Sequence, residues 1–262
     1  GQEVEVTSIV PEPVAILEDK VTGNKVIEWV YHPADGDLPM NRFFHYDFKW
    51  TETDVFFDVD PAKVGAYHKN SAEYIQYTQA ETWIQTDGKI RDFARNLIGS
   101  EKNPWLQSQI FFVWCMENLT AVPGGFGDRD AASTLLSLKG DCGQFGRLMV
   151  AFCRSVGIPA RTTTTAWITG GTHVFVEVLM PGYGWVPSDS FLAQMLVPES
   201  SDLNTDEIKK FMSDRDVPLG DPNWFMGNLF SNRVITAVGN NISVDSPTLG
   251  EQITFQSMRP GG

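Results

Sequence analysis

The apolar residues Phe145, Leu148, Met149, Phe152 and Val156 recur at three- and four-residue intervals, which is the period of one buried helix face. Asp141 ahead of this run predicts an N-cap, and Gln144 three residues on predicts a capping box. Gly157 and Pro159 predict its end. Beyond it the period shortens. Residues 162–167 are rich in β-branched side chains, 173–180 read as a strand, and a turn at 181–184 leads into a return strand over 185–189. Ahead of the helix, residues 89–98 carry helical periodicity up to Gly99, 104–119 form a second, mostly apolar helix, and 131–138 a short third one. Residues 2–60 break into β-rich runs at 4–6, 26–31, 43–48 and 55–59, punctuated by proline and glycine, and further strands are expected at 234–238, 242–244 and 252–255. The polar stretch 195–222 holds a short capped helix at 204–212 and is placed to overhang a cleft. No internal repeat interrupts this order. The pattern predicts an α+β fold: a β-rich N-terminal segment or subdomain over 1–73, then a catalytic domain over 74–262 with a central helix packed on an antiparallel sheet.

The chemistry gathers at three positions in that pattern. Cys142 opens the central helix, His173 starts the next long strand and Asp189 ends the return strand. Unpaired N–H groups and the dipole at a helix N-terminus favour a thiolate over a thiol. A carboxylate beside an imidazole fixes its tautomer and stabilises the imidazolium that pairs with that thiolate. The hairpin turn sets Asp189 within about one residue of register with His173. The Cys142 N–H is a candidate oxyanion donor, with Trp114 and Asn118 as side-chain alternatives. Cys115 and Cys153 sit in apolar helix interiors and read as core residues. Arg161 is expected in an ion pair beneath the helix, and Trp167 divides evenly between core packing and a cleft wall. His32, His45 and His68 lack ligand-like spacing, so no metal and no other cofactor is expected. Residues 126–130 lack the acidic alternation of a calcium loop and read as a solvated turn.

The stretches Gly140-Asp141-Cys142, 157–161, 173–177 and 184–189 together resemble the core of the transglutaminase-like superfamily. A flank at 77–86 with Asn103-Pro104 and a segment at 224–233 resemble bacterial members, so the likeness runs from about Tyr74 to Val244. It implies a papain-like fold and a triad of Cys142 as nucleophile, His173 as general base and acid, and Asp189 as the group orienting His173. Two positions depart from the pattern: Phe175 stands where the family often has tryptophan, and Ala121 follows Asn118-Leu119-Thr120 where an aromatic is common.

Charge and length narrow the partners. The 262 residues carry a formal net charge of −13, which argues against nucleic acid and for solubility. No run of about 18 apolar residues exists to span a membrane. Three cysteines cannot all pair, and Cys142 and Cys153 on one helix lie too far apart for a disulfide. The opening Gly1-Gln2-Glu3 reads as an artificial first residue after a trimmed targeting segment, so the expected location is extracytoplasmic, periplasmic or secreted, with the cytoplasm left open. The expected activity is hydrolysis of a peptide or related amide through a cysteine acyl-enzyme, on a peptide or protein substrate that includes cell-wall peptide among the options. Protein crosslinking by transfer to an amine is the first alternative, and a non-catalytic binding module on the same fold is the second.

Overall fold

The computed structural model describes residues 2–30, 43–122, 124–196, 206, 209–210, 213–214 and 221–257. Strands β1 (Gln2–Val10), β2 (Ala15–Glu18), β3 (Lys25–Glu28), β4 (His45–Glu52) and β5 (Val55–Phe56) come first. Helices α1 (Ala72–Thr78), α2 (Gly88–Ile98) and α3 (Pro104–Asn118) follow. Then come β6 (Thr120–Ala121), α4 (Ala131–Ser137), β7 (Lys139–Gly140) and α5 (Cys142–Ser155). Strands β8 (Ala160–Trp167), β9 (Thr172–Met180) and β10 (Gly184–Ser188) lead to α6 (Ser190–Met195). The chain closes with β11 (Asn228–Leu229), β12 (Arg233–Val238), β13 (Asn241–Ser246) and β14 (Glu251–Gln256).

The architecture is the expected mixed one. Helix α5 is buried along its whole length, and α2, α3, α4 and α6 pack around it. Leu148, Met149 and Phe152 are wholly enclosed, and each such side chain contributes roughly 1.5–3 kcal/mol by leaving water. On its sheet side α5 approaches β8 and β9 at Gly146, where an added Cβ would stand 3.3 Å from Val174 Cγ1 and 3.6 Å from Thr162 Cγ2. A side chain here would push the helix off the sheet. Gly157 ends α5 at φ +87°, a conformation that L side chains rarely adopt.

The sheet under α5 is antiparallel, in the order β10–β9–β8–β12. Strand β12 therefore has a free edge, and the N-terminal segment covers it. The Asn24 side chain donates to Val238 O at 2.7 Å and accepts from Val238 N at 2.9 Å, and Gln2 Nε2 donates to Ile235 O at 2.9 Å. Two side-chain amides thus pair the edge as a fifth strand would. The run expected at 4–6 lengthens to the nine residues of β1 because it pairs with β4 along its length, while that at 55–59 shortens to β5, which meets only β11. The helix expected at 204–212 lies outside the described residues, apart from Asp206, Lys209 and Lys210.

Candidate active site

The start of α5 is built as its sequence implies. Asp141 Oδ1 accepts from Gln144 N at 3.1 Å, and Gln144 Oε1 accepts from Asp141 N at 3.3 Å, closing the capping box. Gln144 then does more than cap. It is fully buried, its Nε2 donates to Phe126 O at 2.7 Å and Asp128 O at 3.2 Å, and its Oε1 accepts from Phe126 N at 2.9 Å. Arg129 adds an ion pair to Asp141 Oδ2. Residues 126–130 are exposed at 126–128, as a solvated turn would be, and are also tied as a strap across the first turn of α5. The buried amide of Gln144 supplies the partners that the strap's backbone would otherwise seek in water.

His173 lies on β9 and is 2% exposed. Its Nε2 is 2.7 Å from Asp189 Oδ2, and the Cys142 side chain lies close enough to act on the ring's protonation. Burial alone would lower the imidazole pKa. The Asp189 charge and hydrogen bond, joined by Cys142, outweigh it and push the value up to about 9. Cys142, His173 and Asp189 are thus brought together in the order the sequence suggested. The register differs. The ladder pairs Gly184 with Met180 and ends at Ser188 opposite Val176, so one further step sets Asp189 toward Phe175, two residues from His173 rather than about one. Such a diagonal pair lies within side-chain reach, and the long imidazole closes the gap. Asp189 also caps α6, its Oδ1 accepting from Leu192 N at 3.1 Å. One carboxylate therefore fixes both the imidazole and the helix that follows it.

Two side-chain donors considered from sequence are placed elsewhere. Trp114 packs edge-on against Phe93 and Phe152, and Phe152 is ten residues, or about 15 Å, along α5 from Cys142. Asn118 Nδ2 turns back to Trp114 O at 2.9 Å. Arg161 does form an ion pair, but with Glu177 across the sheet at 2.8 Å and over the Trp185 ring, not beneath α5. Side chains alternate along β8, and it is Thr162 that meets α5 at Gly146.

Arg233 is the residue that the sequence reading did not single out. It is fully buried on β12, with its guanidinium 3.7 Å from Asp189 Oδ2 and its carbon centre 4.7 Å and 4.2 Å from the ring centroids of Trp167 and Phe230. Nε, Nη1 and Nη2 have no hydrogen-bond partner, so the link to Asp189 is an ion pair inside an aromatic box. Burial lowers its pKa to about 10, against the pull of Asp189 and Glu52, and it stays protonated at neutral pH. Trp167 is 5% exposed and lies against both His173 and Arg233. It walls the imidazole from behind.

The three thiols are free and differ in setting. Cys115 and Cys153 are wholly enclosed, and burial pushes both thiols well up. Cys142 is 9% exposed at a helix N-terminus beside a charged imidazole. Brief iodoacetamide treatment at neutral pH, read by peptide mass spectrometry, should therefore label Cys142 ahead of the other two. Earlier labelling of Cys115 or Cys153 would remove the basis for a reactive thiol at α5.

A cysteine at the start of a buried helix, facing an imidazole–carboxylate pair on an antiparallel sheet, defines the papain-like class of cysteine fold. Residues 91–190 match the model of the transglutaminase-like superfamily. An uncharacterized protein of Haemophilus influenzae is 29% identical over a match covering 54% of this chain and 47% of its own length, so the chain spans about half of that relative. The crystal structure of a candidate cysteine protease from Cytophaga hutchinsonii is similar at a TM-score of 0.52 and 17% identity, covering 72% of this chain and 66% of the other. The periplasmic domain of TgpA from Pseudomonas aeruginosa gives a TM-score of 0.40 at 18% identity, over 54% of this chain and 51% of its own. At 17% identity the likeness to the Cytophaga hutchinsonii structure shows the fold alone.

Proposed function

We propose that the protein is a cysteine-dependent amide hydrolase acting on a peptide or related amide. The observation that carries the proposal is the set Cys142–His173–Asp189, with Nε2 of His173 held 2.7 Å from the carboxylate and the Cys142 side chain near enough to raise the imidazole pKa. In this reading the Cys142 thiolate adds to the substrate carbonyl carbon, and the carbonyl π electrons move to oxygen. The capping box serves Gln144 N–H, and Asp141 O serves Phe145 N–H, which leaves Cys142 N–H to stabilise the oxyanion. Protonated His173 gives its proton to the leaving amine as the C–N bond breaks, forming the thioester. Neutral His173 then takes a proton from water as hydroxide adds to the thioester, and the C–S bond breaks to release the acid and return the Cys142 thiolate beside protonated His173. Asp189 keeps the imidazole oriented throughout. Residues 74–262 form the proposed catalytic unit, braced by the segment before it.

Water is favoured over an amine as acyl acceptor because the aromatic residues nearest in sequence for sealing a thioester tunnel, Trp167 and Trp185, are engaged elsewhere. Trp185 pairs with Leu179 at the opposite end of β10 from Asp189, about 13 Å away along the strand. There it stacks under Arg161 and donates to Glu73. Trp167 is closed in behind His173. Offering a peptide library, cell-wall peptides included, together with a fluorescent primary amine should give free acid in excess over amine adduct. Adduct in excess would make the protein a crosslinking enzyme.

No helix among the described residues is long and apolar enough to cross a membrane. An extracytoplasmic setting is part of the proposal. It is supported by the enclosure of Cys115 and Cys153, which an oxidising compartment leaves untouched.

A further inference from the structure

The far end of α5 opens on a cleft of about 1270 Å³ between α1, α2, the start of α3 and the loop around Tyr67. From Cys142 to Arg154 the helix rises about 18 Å, so this cleft is separate from the thiol. Its lining is unusual for this chain. Asp and Glu outnumber Lys and Arg by 33 to 20 over the sequence. The cleft is nevertheless lined by Lys69, Arg91, Arg95, Lys102 and Arg154, with no carboxylate among its walls. Arg91 and Arg95 stand one turn apart on α2 and so share a face.

These cations are not committed to holding the fold. Among the described residues Lys69, Arg91, Arg95 and Lys102 form no ion pair. Glu101, beside Lys102, is turned to the backbone N–H groups of Lys102 and Asn103, at 2.7 Å each. The closing carbonyls of α5 are already served, Cys153 O by Val156 and Ile158 N–H and Arg154 O by Gly157 N–H, so they need no cation. Arg154 is buried and spends Nε on Ala160 O and Nη1 on Gln79 O and Glu81, while its Nη2 has no partner. Four unpaired cations held together in a strongly acidic protein, over a buried guanidinium with a donor to spare, raise the local potential where the rest of the surface repels anions.

We infer that this cleft binds a small, multiply charged anion carrying phosphate or carboxylate groups. Arg95 and Arg91 grip it from α2 and Lys102 from the mouth of α3. Guanidinium groups favour such oxygens because they offer paired N–H donors in one plane. The inference does not depend on the activity proposed for Cys142.

Calorimetric titration of the full chain at low salt, with pyrophosphate in one arm and citrate in the other, tests it. Saturable one-site binding is expected in at least one arm, and the arm that binds names the anion class. Arg95→Glu with Lys102→Glu should weaken it at least tenfold, and the milder Arg91→Gln with Arg95→Gln should weaken it in the same direction. Lys20→Glu with Lys25→Glu, on the N-terminal strands, should leave it unchanged. Thermal midpoints of the variants confirm that each is folded. Absence of saturable binding in both arms, or equal weakening by the Lys20/Lys25 pair, would overturn the inference.

Discussion

Cys142→Ala is expected to abolish turnover, and His173→Ala to come close to it, while Asp189→Asn leaves a folded protein slower by on the order of a hundredfold or more. Asparagine is the informative change at 189 because the carboxylate has two tasks. Its Oδ1 caps Leu192 N–H, and an asparagine oxygen can keep that cap, whereas alanine would forfeit it at about 1 kcal/mol. What asparagine cannot supply is the negative charge at the Oδ2 position, 2.7 Å from His173 Nε2. The pH behaviour follows from the same contacts. His173 is held up to about 9 by Asp189 and Cys142 against its burial, so the imidazolium persists through neutral pH and activity should fall on the alkaline side near that value. Its stabilising contribution has the same sign: fully present below the ordinary histidine value near 6.5, it is lost as pH rises toward 9. In Cys142→Ala the influence of the thiol side on the ring is gone, and the His173 pKa read by NMR should drop. An unchanged His173 titration in that variant would show that the two side chains do not interact, and the hydrolase reading would go with it.

Much of this site was legible because its parts are local. The capping box needs only Asp141 and Gln144, three residues apart, and the buried face of α5 announces itself through a repeat that no strand can share. His173 and Asp189 face each other across one hairpin, so their pairing needs no knowledge of the remaining fold. The two-residue slip in register arises at the turn, where Tyr183 N–H closes on Met180 O and the first paired residues are Gly184 and Met180. The strap at 126–130 was missed for a different reason. Gln144 was given one task, the cap, and a buried side-chain amide then has three further donor and acceptor positions to fill. The misplacement of Trp114 and Arg161 has a common source. Each was positioned by its neighbours in sequence, whereas helix rotation and strand alternation decide which side of an element a side chain serves. Arg233 was the least legible. Its place depends on β12 lying beside β8, a non-local pairing, and an arginine between Asn232 and Val234 at a strand's start reads as a surface residue.

Arg233→Met is expected to shift the pH profile of Cys142 alkylation to higher pH and to slow alkylation at neutral pH by about tenfold, the equivalent of one pKa unit. The argument is one of charge balance. In the proposed active form the thiolate and Asp189, with the half-buried Glu52 beside Arg233, are set against the positive His173 and Arg233. Removing a fixed cation raises the proton affinity of every group near it, because the remaining set then carries an uncompensated negative charge where solvent screening is weak. Methionine fills similar volume among Trp167, Phe175 and Phe230, and Asp189 keeps its bond to His173, so the stability cost should stay below the roughly 3–5 kcal/mol of a fully orphaned buried charge. A purely structural role would lower the melting point and leave the pH profile where it was. Arg233→Lys supplies the charge again and should bring the profile back toward the parent's, even if its shorter reach and compact ammonium fit the aromatic box less well. The measurement is the alkylation rate of the three proteins from pH 5 to 9, with thermal melts alongside. Coincident profiles for the parent and Arg233→Met would reduce Arg233 to a packing residue; an upward shift reversed by lysine would establish it as the group that sets the charge on which Cys142 and His173 depend.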